Sequence, residues 1–126
     1  MKRLMLICLL ILTGCGGDSG ADVPSTVRPG GDIFEQRILG PNPGCITCHS
    51  FDPDTTLVGP SIAGVGTRAA TRVGAQSARD YLRASIITPS AFIVEGFDDG
   101  KMPADWAEIL TEAEVEALVD YLLTLR

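Results

Sequence analysis

Histidine is nearly absent from this chain: His49 is the only one in 126 residues. A centre built on several imidazoles is therefore excluded. Methionine is almost as scarce, and of Met1, Met5 and Met102 only the last stands outside the N-terminal segment. Basic residues are outnumbered 10 to 16 by acidic ones, for a formal net charge of −6, and Lys2 and Arg3 lie at the extreme N-terminus. Such a surface repels nucleic acid and anionic lipid, and it suits a partner with a basic docking patch. No apolar run reaches the roughly 20 residues of a membrane-spanning helix; Leu4 to Leu12 is too short. No internal repeat is present, and strand-like patterning is confined to Phe92-Ile93-Val94.

Against this background one motif stands out, Cys45-Ile46-Thr47-Cys48-His49. C-x-x-C-H is the attachment pattern of c-type haem: two thiols add across the vinyl groups, and the adjacent imidazole is set to bind iron from one face. Other readings of these residues fail on supply or context. A zinc site needs four ligands, and beyond these three the chain has no Cys or His outside the N-terminal segment. A thioredoxin-like C-x-x-C follows a strand, whereas Pro41-Asn42-Pro43-Gly44 predicts a loop. A Cys45–Cys48 disulfide is sterically tight and leaves His49 unexplained. With one covalent haem as cofactor, the opposite face of the iron needs a second ligand, and the inventory leaves Met102. His49 and Met102 are accordingly the expected metal ligands.

The N-terminus reads as an export signal, with Lys2 and Arg3 before a short apolar run. That run ends in Leu12-Thr13-Gly14-Cys15, which resembles the lipobox of bacterial lipoproteins. The resemblance implies a signal peptide over residues 1–14 and lipidation of Cys15. An ordinary secretory signal would leave Cys15 as an unpaired exported thiol. Residues 15–29 then comprise the lipidated Cys and a flexible linker rich in Gly, Ser, Asp and Pro, with a reach of roughly 20 Å. Acyl chains in this number give stable anchoring, so the expected location is the periplasmic or extracytoplasmic face of a membrane. Residues 30–126 form one small domain, near the size at which a protein core alone gives thin stability.

That domain is expected to be all-α. Asp32 to Leu39 predicts a short first helix, closed by Gly40 and the Pro41/Pro43 pair. Ser77 and Asp80 suggest a capping box opening a helix that runs to about Ile87, before Pro89. Thr111 and Glu114 form a second capping box, and Val115, Leu118, Val119 and Leu122 make one apolar stripe on the last helix.

The order of first helix, haem motif, proline loop, middle helix, methionine loop and last helix resembles the class I c-type cytochromes over nearly all of residues 30–126. The resemblance implies a cytochrome c fold of three to five helices around one haem. It implies packing of Gly30 and Phe34 on the first helix against Leu118 and Tyr121 on the last. Gly59-Pro60-Ser61-Ile62-Ala63-Gly64 looks like the family's proline loop, in which the Pro60 carbonyl accepts a hydrogen bond from the ligand imidazole and raises its basicity. Arg68 falls where the family often has an arginine near a haem propionate; Arg72 nearby is the alternative, as is plain solvation of Arg68. Lys101-Met102-Pro103 resembles the methionine-ligand loop, and Trp106 is expected to close the pocket on that side. Tyr81 and Leu82 are expected in the pocket or the core. The cofactor-binding set is thus Cys45, Cys48, His49, Pro60, Met102, Arg68 and Trp106.

With both axial positions filled by protein, the iron has no open site for substrate, and the expected activity is one-electron transfer without catalysis. The resemblance implies redox partners such as a respiratory oxidase or reductase and its electron donor. Two alternatives follow from the same residues: a permanently bound haem subunit of a respiratory complex, or, if Met102 does not bind iron, a gas sensor or peroxidase-like protein.

Overall fold

The computed structural model describes residues 27–126; the signal segment, Cys15 and the linker up to residue 26 lie outside the described residues. Six α-helical segments follow in order: α1 Gly30–Phe34, α2 Cys45–Cys48, α3 Val65–Arg72, α4 Ala78–Ile87, α5 Trp106–Ile109 and α6 Glu112–Thr124. The class is all-α, as expected. The six segments exceed the expected three to five because α2 and α5 are single turns of four residues each. No helix among the described residues is long and apolar enough to cross a membrane.

The scaffold is built on α6. Its N-terminus is closed by a full capping box: the Thr111 side chain accepts from the Glu114 backbone N–H, and the Glu114 carboxylate accepts from Thr111 N at 2.9 Å. Two orphan donors of the first turn are thereby satisfied. Val115, Leu118, Val119 and Leu122 are all buried, so the apolar stripe faces the core. Helix α1 crosses α6 at Gly30, where an added Cβ would lie 1.9 Å from the Ala117 carbonyl oxygen; only a hydrogen side chain permits this approach. Arg28, in the stretch read as linker, bonds Glu114 Oε1 through Nε at 2.6 Å. Contacts of the domain therefore reach back at least to Arg28.

Four expectations of local structure need correction, one of them the stretch 41–44, expected as loop, in which Asn42–Pro43 is a short strand. The first helix ends at Phe34, not Leu39, because Ile38–Leu39 pairs antiparallel with Asn42–Pro43 as a two-stranded hairpin, β1 and β2. Gly40, at φ 58°, supplies the left-handed residue of its two-residue loop. Ser77 and Asp80 make only half a capping box: Ser77 Oγ accepts from Asp80 N at 3.1 Å and donates to Asp80 Oδ2 at 2.6 Å. The aspartate carboxylate is spent on the hydroxyl and is one methylene short of the glutamate that usually reaches back. Phe92-Ile93-Val94 forms no strand; it follows the 3-10 turn Pro89–Ala91 as irregular chain.

Helix α3 was not legible as a helix. Its buried face is Gly66 and Ala69, which are too small to print an apolar period. Smallness is what its packing requires, since a Cβ on Gly66 would fall 2.5 Å from the Leu123 carbonyl oxygen. Helix α4 packs on both α3 and α6. Arg79 and Arg83 cross from α4 to Glu112, Glu116 and Asp120 on α6. These exposed pairs set charge complementarity more than stability.

Candidate functional site

A cavity of about 190 Å³ opens where the helices diverge. Its walls come from Phe34, Ile62, Leu82, Ile86, Leu118 and Leu122, with Cys45, Cys48, His49 and Met102 also at its surface. A void this large and this apolar is neither a water site nor something a native core leaves unfilled. Exposed Val58, Phe92 and Ile93 stand at its rim, where a bound apolar group would cover them. Hence the protein is shaped around a large, mostly apolar ligand.

Single-turn α2 presents the three residues of the attachment motif. Gly44 opens it in extended conformation, Cys45 and Cys48 occupy its ends, and His49 leaves it in extended backbone. Cys45 and Cys48 are not joined by a disulfide, so both thiols are available. Burial pushes the Cys45 thiol up to about 11.

The imidazole is oriented by the proline loop. His49 Nδ1 lies 2.8 Å from the Pro60 carbonyl oxygen. A carbonyl can only accept, so Nδ1 carries the proton and the lone pair resides on Nε2. Burial lowers the imidazole's pKa below its ordinary value, and the bond to Pro60 opposes that shift; the ring is held neutral, the form a metal requires. The loop is itself pinned: Gly59 N donates to Cys48 O at 2.9 Å and Ile62 N to Ser50 O at 2.9 Å. Gly59 lies so close to the ring that a Cβ would stand 2.5 Å from His49 Cε1.

Arg68 is bonded to the protein rather than only to solvent. Its guanidinium donates to the Ala63 carbonyl and, at 2.9 Å, to the Ser61 carbonyl, so the half-buried side chain ties α3 to the proline loop. Arg68 and Arg72 both border the cavity. Trp106 is buried at 3% exposure, lines the cavity, and its Nε1 is the one buried side-chain N or O atom among the described residues without a hydrogen-bond partner. An orphaned indole N–H at the wall of an apolar cavity calls for an acceptor on the ligand. Met102 is half-buried at the wall, on irregular chain. Tyr81 and Leu82 of α4 are buried and serve both core and cavity wall.

These residues suit a haem. Two thiols at the required spacing, a neutral imidazole with Nε2 free, a thioether, an apolar cavity, two guanidinium groups and an orphaned N–H match what that group asks of a protein. Sequence reasoning missed Gly59, whose role appears only when the loop is folded onto the ring. It also missed Asn42, whose Nδ2 donates to Asp105 Oδ1 at 2.7 Å across 63 residues of sequence.

The family model described as Cytochrome c matches residues 27–126. No curated protein sequence matches the chain.

Proposed function

Since the chain belongs to the cytochrome c family, with its covalent haem c and haem-based electron transfer, we propose that it is a one-electron carrier whose haem iron is held between His49 and Met102. When bound, the haem supplies reversible one-electron iron chemistry. The protein's own residues do the rest. Cys45 and Cys48 fix the group covalently. His49, oriented by Pro60, offers Nε2 from one side, and the bond at Nδ1 raises the ring's basicity. The Met102 thioether, a soft ligand, favours ferrous iron and raises the reduction potential. Arg68 and Arg72 border the cavity as cations available to the propionates, and Trp106 Nε1 offers a hydrogen bond from within. Leu82, Ile86, Leu118 and Leu122 keep water away.

The observation that carries this reading is the bond from His49 Nδ1 to Pro60 O at 2.8 Å, which leaves Nε2 as the only ring nitrogen able to bind a metal. Cytochrome c domains typically work outside the cytoplasm. Lipidation of Cys15 would tether this one to a membrane surface through a linker, within reach of a respiratory oxidase or reductase and its electron donor. The acidic surface suits partners with basic docking patches.

Voltammetry of the purified holoprotein, together with carbon monoxide addition to its reduced form, tests the carrier reading. A reversible one-electron wave and no prompt spectral change with carbon monoxide are expected. Prompt carbon monoxide binding would mean an open iron site and point to gas or peroxide chemistry.

A further inference from the structure

Among the described residues, the chain segment that carries Met102 is tied to elements distant in sequence by one hydrogen bond. Residues 92–105 contain neither helix nor strand, and nearly all their hydrogen bonds are local. Phe97 N donates to Val94 O at 3.1 Å, Gly100 N to Asp99 Oδ1 at 2.7 Å, and Ser90 Oγ to the same oxygen at 2.5 Å. Among the described residues only Asp105 reaches a distant element: its Oδ1 accepts from Asn42 Nδ2 at 2.7 Å.

The two partners meet side chain to side chain and stand at corresponding distances along the chain from two cavity-lining residues. Asn42 precedes Cys45 by three residues, and Asp105 follows Met102 by three. Asn42 stands on β2, paired with Leu39, and Gly44 N donates to Arg37 O at 2.8 Å just beyond it. Gly40 of the same hairpin approaches Ile109, so the hairpin also rests on α5. Covalent attachment at Cys45 makes this the immobile side. Asp105 is followed at once by buried Trp106, where the loop becomes rooted in the core. Between Trp106 and the 3-10 turn, apolar packing aside, this bond is the loop's one hydrogen bond to a part of the chain distant in sequence among the described residues; the bond from Ser90 to Asp99 joins it only to the neighbouring turn.

We infer that the Asn42–Asp105 hydrogen bond is a latch that keeps the methionine loop closed, making both residues positioning residues for Met102. The inference rests on Met102 being the second iron ligand. A segment with so few outward bonds opens locally at low cost. An amide donating to a carboxylate is among the stronger bonds available to hold it. Its removal raises the open population without disturbing α3, α4 or α6, to which neither partner contributes; Asp105 is the N-cap residue of α5, but its side chain makes no capping bond there.

Imidazole binding to the ferric holoprotein reads that population, since exogenous imidazole takes the iron position only when the loop releases it; one Fe–S bond breaks, one Fe–N bond forms, and no electron is exchanged. Apparent affinity scales with the open fraction. Asn42→Asp, which opposes two carboxylates, and Asp105→Ala, remote from the attachment motif, are each expected to raise imidazole affinity about tenfold, the effect of losing a hydrogen bond to a charged group. Far-UV circular dichroism and the urea midpoint should stay near wild type. Exchanging the pair, Asn42→Asp with Asp105→Asn, rebuilds the bond with donor and acceptor reversed and should return the affinity to within about threefold of wild type. Single variants that bind imidazole like wild type, in a protein whose ferric spectrum carries the thioether band, would overturn the latch alone. A wild-type spectrum without that band would overturn the ligand reading and the latch together.

Discussion

Gly59 rests against the ring of His49, so closely that a methyl group placed on it would stand 2.5 Å from Cε1 and 3.0 Å from Nε2. The contact adds a second approach of the proline loop to the one imidazole of the chain, beside the Pro60 carbonyl. Gly59→Ala must push the ring or the loop aside, and either movement disturbs the bond to Pro60. The expected result is reduced haem loading and a reduction potential displaced from wild type, measured on protein expressed alongside Gly74→Ala. Gly74 has nothing within 4 Å of its added Cβ and should behave as wild type.

The α1–α6 crossing gives a second, purely structural expectation. A Cβ at Gly30 would overlap the Ala117 backbone, which cannot swing away as a side chain can. Overpacking of this kind costs about 2 kcal/mol. For a domain of this size that lowers Tm by roughly 10 °C. Gly31→Ala meets only the Tyr121 ring at 3.2 Å and should lose much less in the same thermal scan.

Glu114 couples stability to pH. The hydrogen bond from Arg28 is the main cause holding its carboxyl below the usual range, with the Thr111 backbone and hydroxyl assisting and burial opposing. A depressed carboxylate pKa contributes stability that is fully present above the unfolded value, about 4.3, and is lost as pH falls through the lower folded value. Glu114→Gln should therefore be less stable than wild type at pH 7, by about 1 kcal/mol after allowance for the part-exposed Arg28. The gap should narrow only as pH falls below the ordinary carboxylate range and through the lowered folded value, as read from urea titrations across pH.

Haem removal should unmake the fold's precision. A sealed apolar void of about 190 Å³, at about 24 cal/mol per Å³, costs roughly 4–5 kcal/mol, which is the ceiling for this open-mouthed cavity. That is comparable with the whole stability of a small domain. Cys45→Ala/Cys48→Ala, which cannot hold haem covalently, is expected to retain some helical far-UV signal and lose its near-UV signal, with exposed apolar surface binding a dye. A sharp, wild-type-like thermal transition in that variant would contradict the expectation.

How much of this was legible beforehand depended on side-chain size and separation. Thr111 and Glu114 announced the start of α6 because a capping box is local in sequence. Val115, Leu118 and Val119 announced its buried face because large apolar residues print a period. Helix α3 printed none, since Gly66 and Ala69 pack by being small. Leu39 reads as a continuation of α1 because it is apolar like Ile33 and Phe34 and stands just before Gly40 and the prolines, yet it is buried from a hairpin strand. At the site, Cys45, Cys48 and His49 were legible as a contiguous motif. The carbonyl partners of Arg68, the approach of Gly59 and the pairing of Asn42 with Asp105 depend on which loops meet, and no local pattern encodes that.

The account turns on Met102, and the ferric holoprotein's absorption spectrum in the far-red region tests it most directly. Methionine sulfur on ferric haem gives a weak band there. The band is expected in the wild type and absent in Met102→Ala, whose reduction potential should fall as the thioether is lost. A wild-type spectrum lacking the band, or a Met102→Ala spectrum retaining it, would contradict the account and leave the second iron ligand to another group.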